Sequence, residues 1–184
     1  SVIAEVQKSW EESAVNRSDT WPQIDHITWV FPGNRMTEGK ELPVEWFDGL
    51  MYPPEEIRAL YSGGEYPAES AMVVGTKGAL LIPHGGTPVL LPENNFTNDQ
   101  EPTIPARNHY HHFVDACLGG ERTESRFEVS GPMTEAILLG TVAIRVPGVE
   151  LKWDAKRMRF PNYPEADRYI KRTYREGWRV AGLF

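Results

Sequence analysis

Residues 108–145 read NHYHHFVDACLGGERTESRFEVSGPMTEAILLGTVAIR, and they decide the fold class because the periodicity of the chain changes there. Tyr110, Phe113, Val114 and Cys117 fall at helical spacing, and Gly119-Gly120 ends the run. Met133, Ala136, Ile137, Gly140, Thr141 and Ile144 then recur at three and four, with Pro132 at the entry and Pro147 beyond the end. Upstream of this stretch the patterned segments read mostly as strands.

Residues 1–7 alternate Val2, Ala4 and Val6 with Ile3, Glu5 and Gln7, and residues 24–31 are rich in β-branched and aromatic side chains. A third strand is expected over 42–47, after a turn at Pro32-Gly33-Asn34. Residues 53–61 suit a short helix, with Glu55 and Glu56 in a first turn where the helix dipole favours carboxylates. Two apolar runs, 72–74 and 79–82, flank Gly75-Thr76-Lys77-Gly78 as a hairpin, and 89–91 adds a short strand. Residues 92–105 form a long polar loop, 149–153 a further strand, and 164–178 a terminal helix or pair of helices. Strands first and helices later imply an α+β fold: a mostly antiparallel open sheet with helices packed on one face, around one core, as a single domain over 1–184.

The charge of −7 argues against a nucleic-acid binder, which presents clustered cations. The one basic cluster, Lys171, Arg172, Arg175 and Arg179, is interleaved with Tyr174, Glu176 and Trp178 and reads as a solvated or packed helix. No apolar run approaches the roughly 18 residues of a membrane span. Cys117 has no partner for an internal disulfide and reads as a small buried hydrophobe. Trp29 and Trp46 lie in strand patterns and are expected in the core. Ser1 leads straight into a strand pattern with no secretory signal, so the start reads as a cut in a longer protein and the compartment stays open.

Candidate chemistry concentrates in loops and at one helix start. There is no glycine-rich phosphate loop before a helix; Gly75-Thr76-Lys77-Gly78 sits between two strands. His109, His111 and His112 lie one and two apart, whereas ligands sharing a helical face need three or four. Three readings stay open for them: a metal site, contacts to sugar hydroxyls, or local backbone satisfaction. His84, in a loop after a strand, and the paired amides Asn94 and Asn95 suit polyol recognition, and Asn also occurs in turns for local reasons. No nucleophile elbow is present.

The segments HHFVDACLGGERTESRFEVSGPMTEAILLGTVAIR, VELKWD and PEADRYIKRTYREGW, with the earlier GTKGALLIPHGGTPVLLPE, resemble in order and spacing the C-terminal domain of the glucose-fructose oxidoreductase / inositol dehydrogenase / MocA family (Gfo/Idh/MocA), in its bacterial NADH-dependent dehydrogenase branch. The resemblance covers much of residues 70–178. It implies a parent with an N-terminal Rossmann domain binding NAD or NADP, absent from these residues, followed by this substrate-binding and oligomerisation domain. It implies also a sugar or polyol substrate, touched tentatively by His84, Asn94, Asn95, His111 and His112, and a homo-oligomer through the open sheet. The family's E-K-P lysine and its G-x-x-x-D-x-x-x-H histidine, which normally lies just upstream of the segment like residues 1–6, have no counterpart here. The chain by itself is therefore expected to hold no catalytic, cofactor or metal residues and to be inactive. A non-catalytic carbohydrate-binding or dimerisation module is the competing reading.

Overall fold

The computed structural model describes residues 1–8, 20–97 and 104–182. They form a mixed α+β chain with two antiparallel three-stranded sheets where a single open sheet was expected. Two compact units result, one from Ser1–Met51 with Glu135–Phe184 and one from Tyr52–Thr134. Residues 98–103 of the expected polar loop lie outside the described residues.

In the first unit β1 (Val2–Lys8), β2 (Ile24–Pro32) and β3 (Glu41–Phe47) lie in the order β1-β2-β3. Register places Val2 opposite Trp29, Ala4 opposite Ile27, Ile27 opposite Trp46 and Trp29 opposite Val44. Directly opposed residues share a face. Val2, Ala4, Ile27, Trp29, Val44 and Trp46 therefore line one side of the sheet, the side that meets helix α3 (Phe127–Ala143). The core there comprises Val2, Ala4, Ile27 and Trp29 with Val142, Ala143, Ile144, Leu151, Phe160 and Ala166.

The close contact in this unit is between Trp29 and α3. The Trp29 indole N–H donates to the Ala136 carbonyl at 2.8 Å, so the ring is held against the helix while its one polar atom is satisfied. A Cβ on Gly140 would lie 2.4 Å from Trp29 Cζ2, far inside contact distance, so only glycine permits this approach. Trp153 supports the same helix by donating its indole N–H to Glu135 at 2.6 Å and packing on Phe160 with ring centroids 5.0 Å apart. Trp46 departs from expectation: it follows the strand pattern on the core face, yet β3 is the sheet's outer strand and the indole is 56% exposed.

Three other expectations are corrected. Residues 149–153 form no ladder strand; Leu151 makes a two-bond bridge with Val2, at 2.9 and 2.8 Å, and Lys152 and Glu150 are tied to the Asn162 amide instead. Pro132 lies inside α3, not at its entry, because the first turn forms upstream, where Val129 and Ser130 donate to the Arg126 carbonyl. The missing proline N–H then falls on a single bond near the helix start. Residues 164–178 give a 3₁₀ helix over Pro164–Tyr169 and no helix after it.

In the second unit β4 (Ser70–Gly75), β5 (Gly78–Pro83) and β6 (Val89–Leu91) pair in sequence order, with the expected hairpin turn at Gly75–Gly78. Gly78 has φ +159°, at the limit of extended backbone, and a Cβ there would meet the Leu91 carbonyl at 2.3 Å. Its small core is Ala79, Leu81 and Leu91, flanked by Leu60, Tyr61, Tyr66, Met72 and Val89. The short helix α1 (Glu55–Arg58) lies in this unit, as does α2 (His109–Cys117). Helix α2 buries no residue, and Cys117, expected inside, is exposed.

Gly140→Ala is expected to lower stability by about 1–3 kcal/mol, the cost of overpacking, although alanine is the better helix former by about 1 kcal/mol. The loss should shrink in a Trp29→Phe background, whose smaller ring leaves room for the methyl. Additive unfolding free energies in that double-mutant cycle would contradict the contact.

Candidate functional site

Helix α2 begins where the sequence places its histidines, and its start has a defined cap. Asn108 is the N-cap, with extended backbone, and its Oδ1 accepts from the His111 N–H at 3.0 Å. That bond satisfies one of the donors a helix start leaves without an internal partner. The His111 side chain is exposed, whereas the His112 side chain is 10% exposed and lies beneath Arg107.

Arg107 organises this corner. Its Nη1 lies 3.2 and 3.0 Å from the two ring nitrogens of His112, and it pairs with Glu121 at 2.8 Å and Glu124 at 3.4 Å. The lone pairs of Nδ1 and Nε2 diverge, so one N–H near both nitrogens describes a guanidinium lying over the ring, not a hydrogen bond to each. The two carboxylates come from the turn after Gly119-Gly120, where the Gly120 N–H donates to the Asp115 carbonyl at 2.8 Å. These pairs are largely exposed, so each contributes about 0–1 kcal/mol; their effect is to orient His112. Arg107, Glu121 and Glu124 were not singled out in the sequence; an arginine beside the N-cap and two acids after a double glycine was the available signal.

The other candidates lie apart from this corner in the hydrogen-bond network. His84 follows β5, its N–H donating to the Glu69 carbonyl at 2.9 Å and its Nδ1 lying 2.6 Å from the Glu69 carboxylate, both side chains being exposed. Asn94 and Asn95 are exposed on the 3₁₀ turn Glu93–Asn95. Among the described residues no hydrogen bond or ion pair joins His84, Asn94 or Asn95 to His111 or His112. All five residues belong to the second unit. Among the described residues, too, no group of three or more His, Cys, Asp or Glu is placed to hold a metal ion. No described helix is long and apolar enough to cross a membrane.

Gly75-Thr76-Lys77-Gly78 turns between two strands and leads into no helix, so it offers no row of N–H groups to a pyrophosphate. What the histidines, amides and carboxylates can do is exchange hydrogen bonds with a polyhydroxylated molecule. No protein-family model matches the chain, and no curated protein or solved structure does either.

In the first unit one carboxylate is unusual. Asp25, on the core face of β2 opposite Val6, is 4% exposed. Burial raises its pKa above the ordinary 3.8, the Asp48 charge adds to the rise, and His26 opposes it. The folded state thus binds a proton more readily than the unfolded chain, so wild-type stability falls as pH climbs through the interval above 3.8.

Two predictions follow from this electrostatics and capping. Asn108→Ala is expected to cost about 1 kcal/mol in urea unfolding, and a loss of only a few tenths would show that the cap contributes little. Asp25→Asn, which cannot titrate, should gain stability relative to wild type between about pH 3 and about pH 7; a difference that stays constant over that range would contradict the burial effect.

Proposed function

We propose that the chain is the substrate-binding and assembly domain of an NAD(P)-dependent oxidoreductase of the Gfo/Idh/MocA type, acting on a sugar or polyol. The observation that carries this reading is the order and spacing of the quoted segments, from GTKGALLIPHGGTPVLLPE at residues 75–93 to PEADRYIKRTYREGW at 164–178. The antiparallel α+β architecture is compatible with it. In this reading the dinucleotide and the hydride chemistry belong to a domain outside these residues. Holding cofactor and substrate on different domains lets closure bring the reacting carbon and the hydride donor into attack geometry.

The chain's own contribution is recognition. Imidazole and amide groups both donate and accept, which matches the mixed demands of sugar hydroxyls. His111 at the start of α2, His112 held by Arg107, and the loop residues His84, Asn94 and Asn95 supply such groups. With the catalytic lysine and histidine of the family outside the chain, these residues bind and orient; none moves a proton in the reaction.

Titrating the chain with NADH or NADPH, followed by calorimetry, is expected to give no saturable heat. The same protein extended upstream of Ser1 should bind the dinucleotide and oxidise a sugar or polyol. A micromolar constant for the chain alone, about −8 kcal/mol, would overturn the division of labour. An extended protein with neither cofactor binding nor oxidoreductase activity would overturn the whole reading.

A further inference from the structure

Residues 171–182 are exposed without interruption and contain no helix or strand. Their composition is unusual for such a segment. Arg172, Arg175 and Arg179 join Lys171 against the single acid Glu176, giving a net charge of +3 on a chain of −7. Large apolar side chains accompany the cations: Trp178 is 62% exposed, and Tyr174 and Val180 are also exposed. A turn closed by the Trp178 N–H on the Arg175 carbonyl, at 3.1 Å, stacks the Arg175 guanidinium 4.1 Å from the Trp178 ring centroid. Tyr174, Glu176, Gly177 and Arg179 line a shallow depression beside it.

The opposite character is found on β3 and the residues before and after it. Glu38, Glu41, Glu45 and Asp48 oppose Lys40 alone, a net charge of −3 over residues 38–48. Leu42, Val44 and Trp46 are exposed on the face that continues the core, and the outer edge of β3 pairs with no strand among the described residues. Its outer backbone groups are therefore available to another chain, except at Pro43, which has no N–H to donate.

We propose that residues 171–182 of one molecule dock on β3 of a second copy, and reciprocally. Each surface carries what the other lacks: arginines with aromatics on one, carboxylates with an apolar stripe on the other. Both lie in the same compact unit, and both are exposed there, so the pairing is not made within one molecule. Because one chain carries both halves, a two-fold arrangement forms the contact twice and closes. The inference rests on the homo-oligomer in the reading above and is independent of its sugar chemistry.

Sedimentation equilibrium of the whole chain tests it with two charge reversals, Arg175→Glu with Arg179→Glu, and Glu38→Lys with Glu41→Lys. Glu45 is left in place because it contacts His26 at 3.1 Å. Wild type is expected to dimerise and each reversed protein to dissociate at least about tenfold more readily. An equimolar mixture of the two should recover the dimer, since each reversed segment then meets a reversed strand; a protein that had failed to fold would not be rescued. A dimer unchanged by both reversals would overturn the docking while leaving a homo-oligomer standing. A wild-type monomer at about 100 μM would overturn both.

Discussion

The first unit depends on how closely one helix approaches one tryptophan. Trp29 sits in the central strand of its sheet, where Val2 and Val44 oppose it on either side. Its indole is large enough to fill the space under α3 only if the helix presents no side chain there, and Gly140 meets that condition. The Ala136 carbonyl, one turn earlier on the same helix, takes the indole N–H. Burial of the ring and satisfaction of its donor thus come from a single placement of α3, and the buried neighbours Val142 and Ala143 follow from it. Leu151 and Phe160 complete the core around it.

How far this was legible in sequence varied with the range of the forces involved. Strands β1 to β6 were readable because alternation and turn residues act locally, as at Gly75-Thr76-Lys77-Gly78. Helix α2 was readable from its spacing. Its burial was not: Phe113 and Val114 have the period of a packed face, yet the helix buries nothing. Trp46 and Cys117 fail for the same reason, since period specifies which residues share a face but not whether that face is covered. Met133 and Ile137, 58% and 59% exposed on α3, are further instances. The division into two sheets was equally invisible, because strand pairing is non-local. Residues 149–153 show that a strand-like composition does not suffice when the adjacent backbone groups are taken by the Asn162 side chain.

The candidate site shows a similar division. The histidines at the α2 start could be found from residue type and position, and so could the loop amides. The Arg107 cluster could not, because Glu121 and Glu124 reach Arg107 only once the chain has turned at Gly119-Gly120. That cluster distinguishes His112, oriented and partly covered, from His111, whose ring stands in solvent and whose backbone closes the cap.

The central functional claim is that this surface works beside a dinucleotide-binding domain on the same polypeptide. Reading the coding sequence upstream of Ser1 tests it most directly. The account predicts a strand, a G-x-G-x-x-G turn and a helix there, followed by an E-K-P lysine and a G-x-x-x-D-x-x-x-H histidine just before Ser1. An initiation codon immediately ahead of Ser1, or an upstream sequence without those motifs, would contradict it and leave a carbohydrate-binding or assembly module as the better description.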